Sequence, residues 1–147
     1  MFAIGEVYLG YNRKIKTSDA KKVSSSFCAA ELFRSVWDEK TLNLRESFKV
    51  LLLTRSHRAI NVYHHSEGGI SGTVSDVRLI MQSALLANAS GIILAHNHPS
   101  GNKYPSEADR TITAKLKEAA KLFDIAVLDH VILTDDDYLS LADEGLL

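Results

Sequence analysis

The run Gly91-Ile92-Ile93-Leu94-Ala95, followed at once by His96-Asn97-His98-Pro99, constrains this chain more than any other stretch. A short, wholly apolar run bounded by breakers reads as a central strand buried on both faces. Pro99 has no N–H to give a ladder and helps to end the strand. Two histidines therefore stand at the carboxyl end of a buried strand. In extended backbone, residues i and i+2 point to the same face, so both rings can converge on one ion.

The flanking segments define the frame around that strand. Ser24 to Ser26 offer caps for a helix running to about Trp37, with Ala29, Leu32, Phe33, Val36 and Trp37 on one face. Residues 47–53 read as a largely buried strand. A polar turn at Thr54 to His57 joins it to residues 59–64, its antiparallel partner. A glycine-rich loop follows (Gly68, Gly69, Gly72), and Ser75 is the expected cap of a helix carrying Val77, Ile80, Met81, Ala84 and Leu85 inward. Asn88 and Gly91 are expected to break it. Pro105-Ser106 opens a further helix with Ile112, Leu116, Ala119, Ala120 and Phe123 facing the core. Residues 125–133 form a last long strand, and a short element closes the chain. Residues 6–11 are expected to make a short edge strand, and 12–24 a loop. Strands and helices alternate around a hairpin, so the expectation is an α/β (α+β) fold, a mixed sheet flanked by helices. The 147 residues are expected to be one domain, with 1–25 as an extension and 26–147 as the body.

Bulk properties exclude several classes. The net charge is −1, without the basic footprint of a nucleic-acid binder. Cys28 is the single cysteine, so neither an internal disulfide nor a multi-cysteine zinc site can form. No apolar run approaches the ~20 residues of a membrane span, and Met1 to Leu9 lacks the charge and apolar blocks of a signal peptide. A cytoplasmic location is expected.

Asp109 adds a carboxylate to the two imidazoles. With Ser106 at the N-cap, Asp109 is the third helical residue, and Ser-x-x-Asp is also close to a capping box. The two roles are compatible, since a capped first turn is a rigid way to aim a carboxylate. His96, His98 and Asp109 can supply three ligands to one zinc and leave its fourth position open for water, the mark of a catalytic rather than a structural site. A bare H-x-H at a strand end is, by itself, commonly incidental. Glu46, at the start of the buried strand 47–53, is either a solvated strand end or a base for such a site. Asp129 and His130 lie on opposite faces of a buried strand, where ionisable groups need partners. One of them orients a metal ligand, or the two are a satisfied polar pair of the core. Asn97 either holds the loop or meets substrate. His57, His64 and His65 read as surface or turn residues.

Arg45-Glu46-Ser47-Phe48, His96-Asn97-His98-Pro99-Ser100-Gly101, Pro105-Ser106-Glu107-Ala108-Asp109 and Val127-Leu128-Asp129-His130 together resemble the RadC-like branch of the JAB/JAMM (MPN+) metalloprotease superfamily. The resemblance runs from about residue 40 to 134. It implies that His96, His98 and Asp109 ligate Zn2+, that Glu46 is the general base, and that Ser106 donates a hydrogen bond to the oxyanion of the tetrahedral intermediate. It also implies a fold similar to that of cytidine deaminases, although the deaminase signature H-x-E with P-C-x-x-C is missing. Full-length members carry an N-terminal region resembling helix-hairpin-helix DNA-binding domains, which the residues before the matching stretch do not show, so a short form is expected. Ser75-Asp76-Val77-Arg78 stands where many relatives have Pro-Arg-Glu.

The expected function is that of a zinc-dependent peptidase or isopeptidase acting on a peptide or protein substrate. The alternatives are a DNA-repair accessory of RadC type and a catalytically silent MPN scaffold. The near-neutral charge argues against direct nucleic-acid binding, and the complete residue set argues against a silent scaffold.

Overall fold

In the computed structural model, which describes residues 3–68 and 75–147, five strands form one mixed sheet and four helices cover it. The strands are β1 (Ser47–Leu53), β2 (Ala59–Glu67), β3 (Gly91–Asn97), β4 (Ala126–Leu133) and β5 (Tyr138–Ser140). The helices are α1 (Ser26–Val36), α2 (Glu39–Leu42), α3 (Val77–Leu86) and α4 (Glu107–Lys121). The spatial order is β2-β1-β3-β4-β5. β1 pairs antiparallel with β2 and with β3, β3 and β4 run parallel, and β5 is antiparallel to β4. The expected mixed sheet, its hairpin and the central position of the Gly91 strand are all present.

Every residue of β1 and β3 is buried because helices lie on both faces. Phe48, Val50, Leu52, Ile92 and Leu94 pack with Ile80, Met81 and Ala84 of α3 and with Leu116 and Ala120 of α4. The alternate residues Leu51, Leu53, Ile93, Ala95, Val131 and Leu133 pack with Ala29, Ala30 and Phe33 of α1 and with Trp37. The period of two along each strand thus builds two cores from one sheet. Lys49 sits among these buried positions. Its Nζ bonds His64 Nδ1 at 2.7 Å and lies 4.8 Å from the centroid of the Trp37 ring, so the stem is buried while the amine keeps partners.

Several local expectations need correction. Residues 6–11 form no strand; Val7, Tyr8 and Leu9 are 83–90% exposed. A strand persists only with a ladder partner, and among the described residues the N-terminal region makes a single isolated bridge, Lys22 to Arg58. The cap of α3 is Asp76, not Ser75: its carboxylate accepts from the amides of Arg78 at 2.8 Å and Leu79 at 3.4 Å. Both types cap well, and the helix starts one residue later than expected. Leu85 is 42% and Phe123 51% exposed. α4 ends at Lys121, so Phe123 lies beyond the helical face its spacing suggested. Asn88 does leave α3 with a left-handed φ of 51°. Gly91, by contrast, belongs to β3, and a Cβ there would come within 3.0 Å of Leu128 Cδ1; its small size answers a close approach, not a helix stop. The one-turn helix α2, capped by Asp38, was not anticipated. Of the glycine-rich loop, Gly69 and Gly72 lie outside the described residues. No helix among the described residues is long and apolar enough to cross a membrane.

Candidate metal centre

β3 and the first turn of α4 supply the three expected donors. His96, 1% exposed, is the penultimate residue of β3. His98 lies just past the strand, but its amide still donates to Leu133 O at 2.9 Å and so keeps the β-type alternation. The two rings meet at 4.6 Å between centroids. Asp109 faces them with Oδ1 3.2 Å from His96 Nε2 and Oδ2 3.4 Å from His98 Nε2. One donor atom of each of the three residues falls within 4.8 Å of the others. The capping box is also present: Ser106 Oγ accepts from the Asp109 amide at 3.1 Å, and Asp109 Oδ2 accepts from the Ser106 amide at 2.7 Å. The capping bond and the approach to both imidazoles therefore coexist in one side chain.

The donor set fits a cation. His98 Nδ1 lies 2.6 Å from the carbonyl of Asn102, which can only accept, so His98 donates there and turns the lone pair of its Nε2 toward the centre. That Nε2 is 2.8 Å from His96 Nε2. Two ring nitrogens and a carboxylate converging so closely need a positive charge among them, a proton or a metal ion. Burial alone would raise the Asp109 carboxyl, but the two imidazoles held against it, His96 and His98, outweigh that and place it far below the usual carboxylate range. Burial likewise lowers His98, yet Asp109, the Asn102 carbonyl and the charge of Glu46 together raise it above its ordinary value. Two imidazoles and one carboxylate are a donor set that suits zinc.

A cavity of about 760 Å³ opens over this group. Glu46, Ser106, Phe48, Tyr104, Pro105 and Ile112 are among its walls, so Glu46 and Ser106 are both brought to the donors. Glu46 immediately precedes β1, and its position is set by Asn97. The Asn97 side chain is wholly buried. Its Oδ1 accepts from the Ser47 amide at 2.7 Å, and its Nδ2 donates to the carbonyls of Arg45 at 2.9 Å and Leu42 at 2.6 Å. The backbone on both sides of Glu46 is thereby tied to β3. Gly68 adds a bond to the Glu46 carbonyl at 2.7 Å. Of the two possibilities for Asn97, the structure shows the first, holding backbone in place.

Asp129 and His130 separate as alternation requires. Asp129 accepts from Ser140 Oγ at 2.5 Å and from the Ala142 amide at 3.0 Å, which anchors the C-terminal segment away from the cavity. His130 points the other way and reaches His96 Nδ1 with its Nε2 at 2.8 Å. It is fully buried, and burial pushes its pKa well below the ordinary value, so its ring is neutral. Phe48 stacks on His96, with planes 6° apart and centroids at 6.1 Å. His65 is not in a turn, and it is half-buried rather than fully exposed. It sits within β2, accepts from the Asp76 amide at 2.8 Å, and packs edge-on against Phe48. Neither it nor Thr113, which bonds His130, was singled out by sequence.

A family model described as RadC-like JAB domain matches residues 23–146. The chain belongs to this family. Its curated relatives include UPF0758 proteins of Flavobacterium johnsoniae, 43% identical over 126 residues, and of Porphyromonas gingivalis, 42% identical over 137 residues. These alignments cover 86% and 92% of this chain but 54% and 60% of the relatives. A UPF0758 protein of Xylella fastidiosa is 38% identical over 151 residues, covering 95% of this chain and 67% of the relative. The chain thus spans little more than half the length of the first two. In this RadC-like JAB domain, His96, His98 and Asp109 form a group that could hold a metal ion.

Proposed function

We propose that the chain is a zinc-dependent hydrolase of amide bonds, a peptidase or isopeptidase with a peptide or protein substrate. The observation that carries this proposal is the convergence of His96, His98 and Asp109 on one cavity that Glu46 and Ser106 also line. When bound there, zinc would acidify water, from a pKa of 15.7 toward ~7, and polarise a carbonyl. The chain's own groups supply the remaining chemistry. Glu46 accepts a proton at its carboxylate as water attacks and returns it to the leaving amine. Asn97 holds the backbone around Glu46, so the base has a fixed origin. Ser106 Oγ uses a lone pair in its cap bond to the Asp109 amide, and its O–H is left to donate to the oxygen on which charge develops. Phe48, Tyr104, Pro105 and Ile112 provide apolar wall for the substrate's side chains. A net charge of −1 also supports a peptide over a polyanion as partner.

The test is a screen of zinc-loaded protein on peptide and isopeptide amides, with Glu46→Gln as control. The variant is expected to keep its metal and lose about 10²–10⁴ in rate. Parental turnover by Glu46→Gln on a verified substrate would remove Glu46 from the mechanism.

A further inference from the structure

His96 has two ring nitrogens, and only one tautomer can present a lone pair to a metal. The structure contains a directional chain of hydrogen bonds that selects it. The chain starts at the backbone carbonyl of Asp109, which can only accept. Thr113 Oγ1 lies 2.6 Å from that oxygen, so the threonine hydroxyl donates to it. Thr113 Oγ1 also lies 2.6 Å from His130 Nδ1. Its one proton being committed, the oxygen accepts there, and His130 carries its proton on Nδ1. Shut off from water, the His130 ring carries that one proton and offers a lone pair at Nε2, 2.8 Å from His96 Nδ1. His96 must donate from Nδ1, and its Nε2 is left unprotonated, facing His98 and Asp109.

We infer that Thr113 and His130 are positioning residues that fix the metal-binding tautomer of His96. All three side chains are at most 2% exposed, so water does not compete for these bonds. The chain also closes on itself. It begins on the backbone of Asp109, whose carboxylate faces the nitrogen at its other end, and so links α4, β4 and β3 around one point. Such outer partners of a metal ligand typically change affinity by about 10–100-fold when removed. His98 is fixed separately, by the Asn102 carbonyl.

The inference rests on the proposed metal site, and two measurements keep their failures apart. The first is histidine ¹⁵N NMR of the metal-free full chain. His96 protonated on Nδ1 and His130 protonated on Nδ1 are expected; His96 protonated on Nε2 overturns the inference, whether or not zinc binds. The second is zinc affinity by chelator competition. Thr113→Val keeps the shape but removes the hydroxyl, and is expected to bind zinc about 10–100-fold more weakly. Thr113→Ser restores the hydroxyl and the parental affinity. A Thr113→Val protein with parental affinity and an unchanged His96 spectrum would refute the role of Thr113. If the parent binds no zinc, the metal proposal fails, and the NMR result still decides the tautomer.

Discussion

Replacing Ser106 separates the helix cap that the structure shows from the oxyanion donor that we propose on the same hydroxyl. As an N-cap it accepts from the Asp109 amide at 3.1 Å. The site is exposed, so after Ser106→Ala water can partly satisfy the freed amide, and the loss should be about 1 kcal/mol within the usual range of 0.5–2. For a domain of this size that is a fall in Tm of roughly 2–4 °C. The other half of the capping box, the Ser106 amide donating to Asp109 Oδ2 at 2.7 Å, uses backbone only and survives the substitution. Asp109 therefore stays aimed, and metal content should not change. As an oxyanion donor, the same hydroxyl should be worth about 10²–10³ in kcat. The two magnitudes cannot be confused. Losing 1 kcal/mol from even the low end of the ordinary range of about 5–15 leaves roughly 99.9% of molecules folded, which cannot slow turnover a hundredfold. Ser106→Asp is the companion: it can still cap but cannot donate when ionised. The assay is kcat on a verified amide, with zinc content and thermal melting measured on the same samples. Both variants are expected to be folded, zinc-loaded and slow. Parental kcat in zinc-loaded Ser106→Ala would show that the hydroxyl is a cap alone.

His98→Ala and Asp109→Ala should each lose the metal, with Asp109→Ala also losing stability through its capping-box carboxylate; elemental analysis finding about one zinc per chain in both variants would refute the site. Leu94→Ala, at a fully buried position in the middle of β3, should cost about 2–5 kcal/mol in urea unfolding; a loss below that range would mean the sheet is not packed from both sides there. Burial depresses the pKa of His65 in the native state below its ordinary 6.5, against the opposing charge of Asp76. The native state then binds fewer protons than the unfolded chain just below pH 6.5, so stability should fall on acidification through that window. His65→Gln can still accept from the Asp76 amide and should flatten this part of the profile; an unchanged slope in urea melts at pH 7.5 and 5.5 would assign the effect elsewhere.

What the sequence made legible was whatever its periodicity and spacing encode locally. The apolar run before His96 marked the central strand, and the Ser106-x-x-Asp109 spacing marked a capped helix start. Combined with H-x-H, these brought together the three donors that the structure places within reach of one another. What stayed hidden depended on contacts between distant segments. Thr113 carries no apolar signal because of its hydroxyl, although it shares a face with Leu116 and Ala120. A polar residue at a core position, four after Asp109, was the available signal. Asn97 has two possible roles in the sequence alone because its partners, Leu42, Arg45 and Ser47, are about fifty residues away. Residues 6–11 have strand-like composition, but pairing is decided by whether an edge receives them, and composition does not report that.

The end of β3 also explains why the site depends on the whole sheet. Its side chains alternate, so His96 and His98 go to the face of α4, where Asp109, Thr113 and His130 meet them. Asn97 goes to the opposite face and holds the segment that carries Glu46. One tripeptide thus sets the separation between the donor group and the proposed base, through the pairing of Phe48 with His96 and of His96 with Ile132. A slip of one residue in either ladder would exchange the faces, burying an imidazole against α1 and turning the Asn97 amide into the cavity. The apolar residues on both faces of β1, β3 and β4 oppose such a slip, since every one of them would have to repack. The fully buried core around Val50, Ile92, Leu94 and Val131 is therefore what holds the chemistry of His96, Asn97 and His98 in register.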